Sequence, residues 1–364
     1  MTVRKIKMPK TDLHKPANLT GLTALRFFAA LWVVLYHFLN QLSFSVEPYG
    51  YVLHKGYLAV DFFFILSGYI MAHVYGESIR CGAFDWWDYL RKRLARVYPM
   101  HVVTVLALVC LWGLFQLLGM KNWSPEKYDF SALPAHLLLI HSWGILETHA
   151  WNIPSWSISA EFAAYLLFPA LFLAATRFRG LFGLALALLL LMACWVIALR
   201  ISGYELTKFQ LFGVPRILPE FFLGIVLRHL NWKVPGRLLI PLIVAVLLSA
   251  QFSPSDFPTV LLLAAIVCVG AQLSAPPWLV LLGDASYSLY MVHAIVQTVY
   301  FNALQVVGFR AENPWVSTTL MLGAVALSII VSIWAYKHIE IPARDWLTRR
   351  RSNHVATHSS GRRP

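Results

Sequence analysis

The sequence predicts an all-α polytopic membrane protein of about ten transmembrane helices, with both termini cytoplasmic. Three observations carry this. Of the 364 residues, 59% are hydrophobic and only 13% charged, and mean hydropathy is +0.63. Apolar runs long enough to cross a bilayer recur from end to end, and a helix satisfies its own backbone in lipid. The Lys and Arg residues gather in alternate connections, as orientation in a membrane demands.

Taken in order, the expected spans are about 20–41, 57–77, 97–119, 155–176, 181–201, 212–230, 236–251, 256–273, 285–307 and 315–338. Arg4, Lys5, Lys7, Lys10 and Lys15 precede the first. They resemble the basic start of a signal peptide, but cleavage would remove Arg26 and His37, so an uncleaved signal anchor is expected. Segment 131–145, SALPAHLLLIHSWGI, is apolar but short and reads as re-entrant or interfacial. Residues 1–19 form a basic cytoplasmic N-terminus, 20–345 the transmembrane domain, and the polar 346–364 a disordered cytoplasmic tail. No separate soluble domain is expected.

The net charge of +13 is a topology signal rather than a nucleic-acid footprint. The N-terminus, the loop with Arg80, Arg91, Lys92, Arg93 and Arg96, Arg177, Arg179, Arg228, Lys233, Arg237 and the tail from Lys337 share one side. Lys55, Lys121, Lys127, Arg200, Lys208, Arg216 and Arg310 fall on the other. The basic side is then cytoplasmic. Cys81, Cys110, Cys194 and Cys268 are far apart, so neither a disulfide framework nor a metal site is expected. His136, His141 and His149 read as solvated or interfacial, His101, His229 and His338 as interfacial, and His73 and His293 as satisfied core residues.

The first span, GLTALRFFAALWVVLYHFLN, carries the most informative pair. Eleven steps at about 100° bring Arg26 and His37 within about 20° of one face, roughly 16 Å apart along the axis. Ionisable groups inside a membrane point to function. With this topology His37, Asp61, Glu161 and Glu220 share the outer half of the membrane. An imidazole with a carboxylate to fix its tautomer makes a general-base site. The alternative reading of Asp61 or Glu220 is a structural buried acid paired with Arg216 or another cation. Arg26, Arg93 and Arg96 gather towards the cytoplasmic side with Ser286, Tyr287, Ser288, Glu340 and Arg344. Forked arginine donors at a membrane mouth suit a phosphate-bearing ligand, although Arg91 and Lys92 read as headgroup anchors.

Six pieces in order are similar to motifs of membrane-bound acyltransferase family 3, the O-acyltransferases of bacterial surface sugars and some antibiotics. They are Arg26-x10-His37, DFFFILSGYIMA (61–72), RLARVYP (93–99), WSISAEF (156–162), GDASYSLYMVH (283–293) and HIEIPAR (338–344). Glu161-Phe162 stands where many members have two glutamates. The resemblance covers nearly the whole chain. It implies a multi-pass protein of the bacterial inner membrane. It also implies a cytoplasmic acyl-CoA co-substrate, most often acetyl-CoA, and a hydroxyl of a carbohydrate or glycolipid acceptor on the far side. Arg26, Arg93, Arg96, Ser286 and Tyr287 would bind acyl-CoA, with no permanently bound cofactor, no metal and no nucleic acid. His37 would be the base, oriented by Asp61 or Glu161. Glu220, Arg216 and Trp156 are the candidates for holding the acceptor, while Trp123, Trp143, Trp151 and Trp156 also suit an interfacial belt. Without room for an SGNH-type esterase domain, a stand-alone transferase is expected. The rival class is a proton-coupled transporter, which the interior acids and His37 also suit.

Overall fold

The structure, a computed structural model, describes residues 18–46, 50–119, 125–178, 180–203, 205–309 and 312–349. The basic residues before the first helix, Lys121, Trp123, Arg179, Arg310 and the tail from 350 lie outside the described residues. No β-strand forms among the described residues, and an isolated bridge joins Trp143 to Phe212.

The first three helices are α1 (Thr20–Phe38), α2 (Ala59–Arg80) and α3 (Trp86–Leu117). The start of α3 is fixed by Asp85, whose side chain accepts from the Asp88 amide at 3.0 Å. A short α4 (Leu133–Leu137) lies in the connection between α3 and α5 and is followed by α5 (Trp156–Arg177), α6 (Gly180–Ser202) and α7 (Gly213–Leu230). Asn231 ends α7 in the left-handed conformation, φ 47°, which its short amide tolerates. Next come α8 (Leu239–Phe252), α9 (Phe257–Gly270), α10 (Pro277–Asp284) and α11 (Ser286–Val306), the last two meeting at 56°. Asn313 caps α12 (Pro314–Ala335), accepting from the Trp315 amide at 2.9 Å. A π-turn over Tyr336–Glu340 leads into α13 (Ile341–Arg349).

Among the described residues, six helical segments are long and apolar enough to cross a membrane, or seven if α10 and α11 count as one bent span. That is fewer than the ten expected, although every expected span is helical. The difference has a physical origin. With 14 residues each, α8 and α9 are short for a crossing, and α7 carries Arg216, Glu220 and Arg228 within 18.

The most enclosed of these is α2, which packs on α1, α5, α7 and α9. Its approach to α7 rests on two glycines. A Cβ on Gly68 would strike the Phe221 carbonyl, and one on Gly224 the Ile65 carbonyl. Small residues let transmembrane backbones come this close. Gly283 plays the same part where α10 crosses the Thr23 carbonyl of α1. These two crossings bring α1, α2, α7 and α11 into one bundle centre and set the register of the polar residues they carry.

Candidate active site

A cavity of about 360 Å³ opens between α1, α2, α3, α5 and α11. Arg26 from α1, Arg93 and Arg96 from α3, Glu161 and Tyr165 from α5, and Ser286, Tyr287 and Tyr290 from α11 all line it. All five residues expected to bind acyl-CoA therefore meet in one place. Successive turns of α3 bring Arg93 and Arg96 to the same wall. Tyr75 supports Arg93, accepting from its Nη2 at 3.2 Å and lying 5.4 Å below its guanidinium. Arg96 pairs with the fully buried Glu340 and lies 5.7 Å over the Tyr287 ring. Tyr287 is itself fixed by donating to the Val97 carbonyl at 2.5 Å.

The electrostatics of this cavity are lopsided. Three guanidinium groups line it, and Glu161 is the acid among its walls. Arg26 makes no hydrogen bond among the described residues, while the Arg93 Nε and the Ser286 hydroxyl are buried without partners. Packing like charges together is costly unless an anion relieves them. Forked donors left open in this way favour phosphate oxygens.

His37 lies nearer the other end of α1, half-buried, in a different setting. Its Nδ1 is 3.0 Å from the Val33 carbonyl and 3.2 Å from Nε2 of His293 on α11. The His293 Nδ1 faces the Leu289 carbonyl at 3.3 Å. Carbonyls only accept, so each imidazole carries its proton on Nδ1. The His37 proton is then shared by the Val33 oxygen and the His293 Nε2 lone pair, and the His37 Nε2 keeps its own lone pair. Gln297 secures the end of α1, donating to the His37 carbonyl at 2.8 Å and to Asn40 at 2.9 Å.

The partner expected for His37 among the acids is thus a second histidine. Asp61 is taken by Arg216, which donates to it through Nε at 3.0 Å and Nη2 at 2.6 Å, both residues being fully buried. Glu161 accepts from Ser67 at 2.6 Å and Tyr165 at 2.7 Å. Glu161 belongs to the arginine cavity and Asp61 to the α2–α7 contact, so the acids do not converge on one imidazole. His293 closes the GDASYSLYMVH motif and follows Ser286 and Tyr290 at steps of four and three. That spacing put all three on one face of α11, the signal by which His293 was available to sequence reasoning.

Arg216, Glu220 and Trp156, expected at the acceptor, do gather, but in the interior. The Arg216 guanidinium lies 5.0 Å over the Trp156 ring and also donates to the Thr207 carbonyl at 2.5 Å. Arg216 and Glu220 have no solvent exposure. With its donors consumed by Asp61 and backbone carbonyls, Arg216 has nothing to offer a sugar. Three histidines of α3, α4 and the turn beyond α4 are also a correction. His101, His136 and His141, read as interfacial or solvated, are all buried.

Among the described residues, His37 is not part of the cavity wall. The cavity stops at Phe63 and Tyr290, whose rings are 6.4 Å apart, and the Tyr290 ring is 6.0 Å from that of His293. One aromatic layer separates the arginines' cavity from the histidine pair.

The sequence as a whole is similar to known acyltransferases. A family model described as an acyltransferase domain matches residues 19–337. The chain is 30% identical over 377 residues to the acyltransferase MdmB of Streptomyces mycarofaciens, covering 92% of this chain and 94% of that one. It is 29% identical over 169 residues to the O-acetyltransferase OatA of Staphylococcus aureus, covering 43% of this chain and 25% of that protein. No solved structure matches. With the family model spanning most of the helices and a relative similar along nearly its whole length, the chain is a member of membrane-bound acyltransferase family 3.

Proposed function

We propose that this membrane O-acyltransferase takes an acyl group, acetyl foremost, from cytoplasmic acyl-CoA and delivers it to a sugar-borne hydroxyl on the far side of the membrane. The observation that carries the reading is the division of labour along α1. Arg26 joins Arg93 and Arg96 in a cavity with unsatisfied donors, and His37 presents a free Nε2 eleven residues further on.

In this account the CoA phosphates dock against Arg93, Arg96 and Arg26, and the pantetheine arm runs along the cavity. The roughly 16 Å between Arg26 and His37 suits an extended arm. Phe63 swings aside from Tyr290 to let the thioester reach the histidines. The acceptor hydroxyl gives its proton to the His37 Nε2 as its oxygen attacks the thioester carbonyl carbon. The carbon–sulfur bond then breaks, and the departing thiolate takes the proton from His37, yielding the ester and free CoA. His293 accepts from the His37 Nδ1 throughout, so the imidazolium is held by a neutral acceptor rather than a carboxylate. MdmB is named an acyltransferase and OatA an O-acetyltransferase, which supports the reaction type and the acetyl donor.

The test is transfer of label from radiolabelled acetyl-CoA by purified protein in detergent. Wild type should release free CoA and form labelled ester with a sugar acceptor. His37→Asn should lower the rate by about 10²–10⁴-fold, the usual contribution of positioned proton transfer. Wild-type rates in a folded His37→Asn protein would end this assignment. Movement of an intact solute with no loss of acyl group from acetyl-CoA would favour a carrier instead.

A further inference from the structure

Three histidines outside the arginine cavity and the His37 pair form a cluster that the transfer reaction does not use. His101 comes from α3, His136 from α4 and His141 from the turn beyond it, and each is at most 5% exposed. One ligand nitrogen from each can be chosen so that all three lie within 4.8 Å of one another. Their hydrogen bonding is one-sided. The His101 Nε2 donates to the His136 carbonyl at 2.8 Å, which leaves its Nδ1 as a bare lone pair. The His141 Nε2 meets the Ser155 hydroxyl at 3.1 Å, and its Nδ1 has no hydrogen bond. Neither nitrogen of His136 has one.

From this geometry we infer that His101, His136 and His141 form a binding site for a divalent late transition metal, zinc foremost, on the extracytoplasmic side. Three features fit. Metal-binding imidazoles commonly fix the outer nitrogen on a backbone carbonyl or hydroxyl while the inner one ligates, as His101 and His141 do here. Imidazole sets select zinc, copper or nickel over magnesium or calcium. The His101 Nδ1, the His141 Nδ1 and both nitrogens of His136 are buried without a hydrogen-bond partner among the described residues, so each ring has a nitrogen to offer an ion.

Closure around an ion needs only side-chain motion. Zinc–nitrogen bonds of about 2.0–2.1 Å place tetrahedral ligands about 3.4 Å apart. The rings of His136 and His141 are stacked, centroids 3.9 Å apart and 13° from parallel. Ligation therefore turns the unanchored His136 ring out of the stack while His101 and His141 keep their outer hydrogen bonds. The site would pin the connection before α5 to α3. Asn152 already runs the same way, donating to Thr104 on α3 and to the Met291 carbonyl on α11, each at 3.2 Å. The role is a clamp on the wall that carries Glu161 and, through α11, His293.

The experiment measures metal by mass spectrometry in the full chain purified in detergent without added chelator, then adds Zn²⁺ or Co²⁺ while following thermal unfolding. About one ion per chain, a visible cobalt band and a melting temperature lowered by chelation are expected. His136→Phe is the decisive variant because it keeps an aromatic ring in the stack and removes the ligand. It should lose at least nine-tenths of the metal and the cobalt band, whereas His338→Asn, at an exposed position, should retain both. A wild-type protein that holds no ion and gives neither band nor shift would overturn the site. So would a His136→Phe protein with undiminished metal and an unchanged response to chelator.

Discussion

At the scale of single residues, some groups are placed to hold the reacting atoms and others hold one another. His293 touches His37 and no acid among those expected to orient it. Removing it should release the His37 ring without removing the base. His293→Ala is expected to lower kcat about tenfold with little change in KM for acyl-CoA. His293→Gln, which can still present an acceptor to Nδ1, should recover part of the loss, as steady-state kinetics at saturating acceptor would show. The arginines differ in what they leave behind. Arg93 leans on a tyrosine, so Arg93→Gln removes a charge and little else. Arg96 neutralises Glu340, which has no exposure and also accepts from Ser288 at 2.7 Å. Arg96→Gln alone strands a buried carboxylate, a loss of about 3–5 kcal/mol. The double variant Arg96→Gln/Glu340→Gln should regain most of that stability in thermal unfolding while still binding acyl-CoA weakly.

Among the elements, the α2–α7 contact sets where everything else sits. Gly68→Leu forces a side chain into the Phe221 carbonyl, an overpacking cost of about 1–3 kcal/mol or more. Because the same contact holds Asp61 against Arg216, melting temperature and activity should fall together. A second link ties the connections around Lys55, Thr207 and Asp256. Asp256, before α9, accepts from Lys55 at 2.9 Å, Tyr57 at 2.8 Å and Thr207 at 2.7 Å. Burial raises the pKa of Asp256, but these donors and the Lys55 charge outweigh it and hold the carboxyl below its usual range. A depressed carboxyl stabilises the fold above its unfolded value, near 3.9, and loses that contribution as pH falls through the folded value. Wild type should therefore lose more stability below about pH 4 than Asp256→Asn does, as unfolding curves at several pH values would register. Sequence spacing made the helices legible because hydropathy depends only on local composition. It placed the end of α8 within one residue, at 251 against Phe252, but the end of α9 three residues late, at 273 against Gly270, because the turn after Gly270 leaves little trace in hydropathy.

For the whole molecule, what the sequence conveyed was depth, and what it could not convey was pairing. Arg26, Arg93, Arg96, Ser286 and Tyr287 were grouped by height in the membrane, and they do line one cavity. Asp61, Glu161, Glu220 and His37 were grouped by the same reasoning. Yet helix rotation and the Gly68–Gly224 contact distribute them over three separate settings. Height fixes one coordinate, and which neighbour a side chain meets depends on the other two. The burial of His101, His136 and His141 was hidden for the same reason. His136 and His141 lie in a short apolar segment whose tertiary path turns inward, against His101 on α3.

The most direct measurement compares His37→Asn with Arg93→Gln, taking kcat and KM for acetyl-CoA from the same preparations and confirming that each is folded. The account predicts that His37→Asn loses kcat by about 10²–10⁴-fold with KM for acetyl-CoA nearly unchanged. It predicts the converse for Arg93→Gln, a raised KM for acetyl-CoA with kcat and the acceptor KM largely retained. If instead the histidine variant turned over normally, or the arginine variant weakened donor and acceptor alike, the relay from arginine cavity to histidine pair would be contradicted.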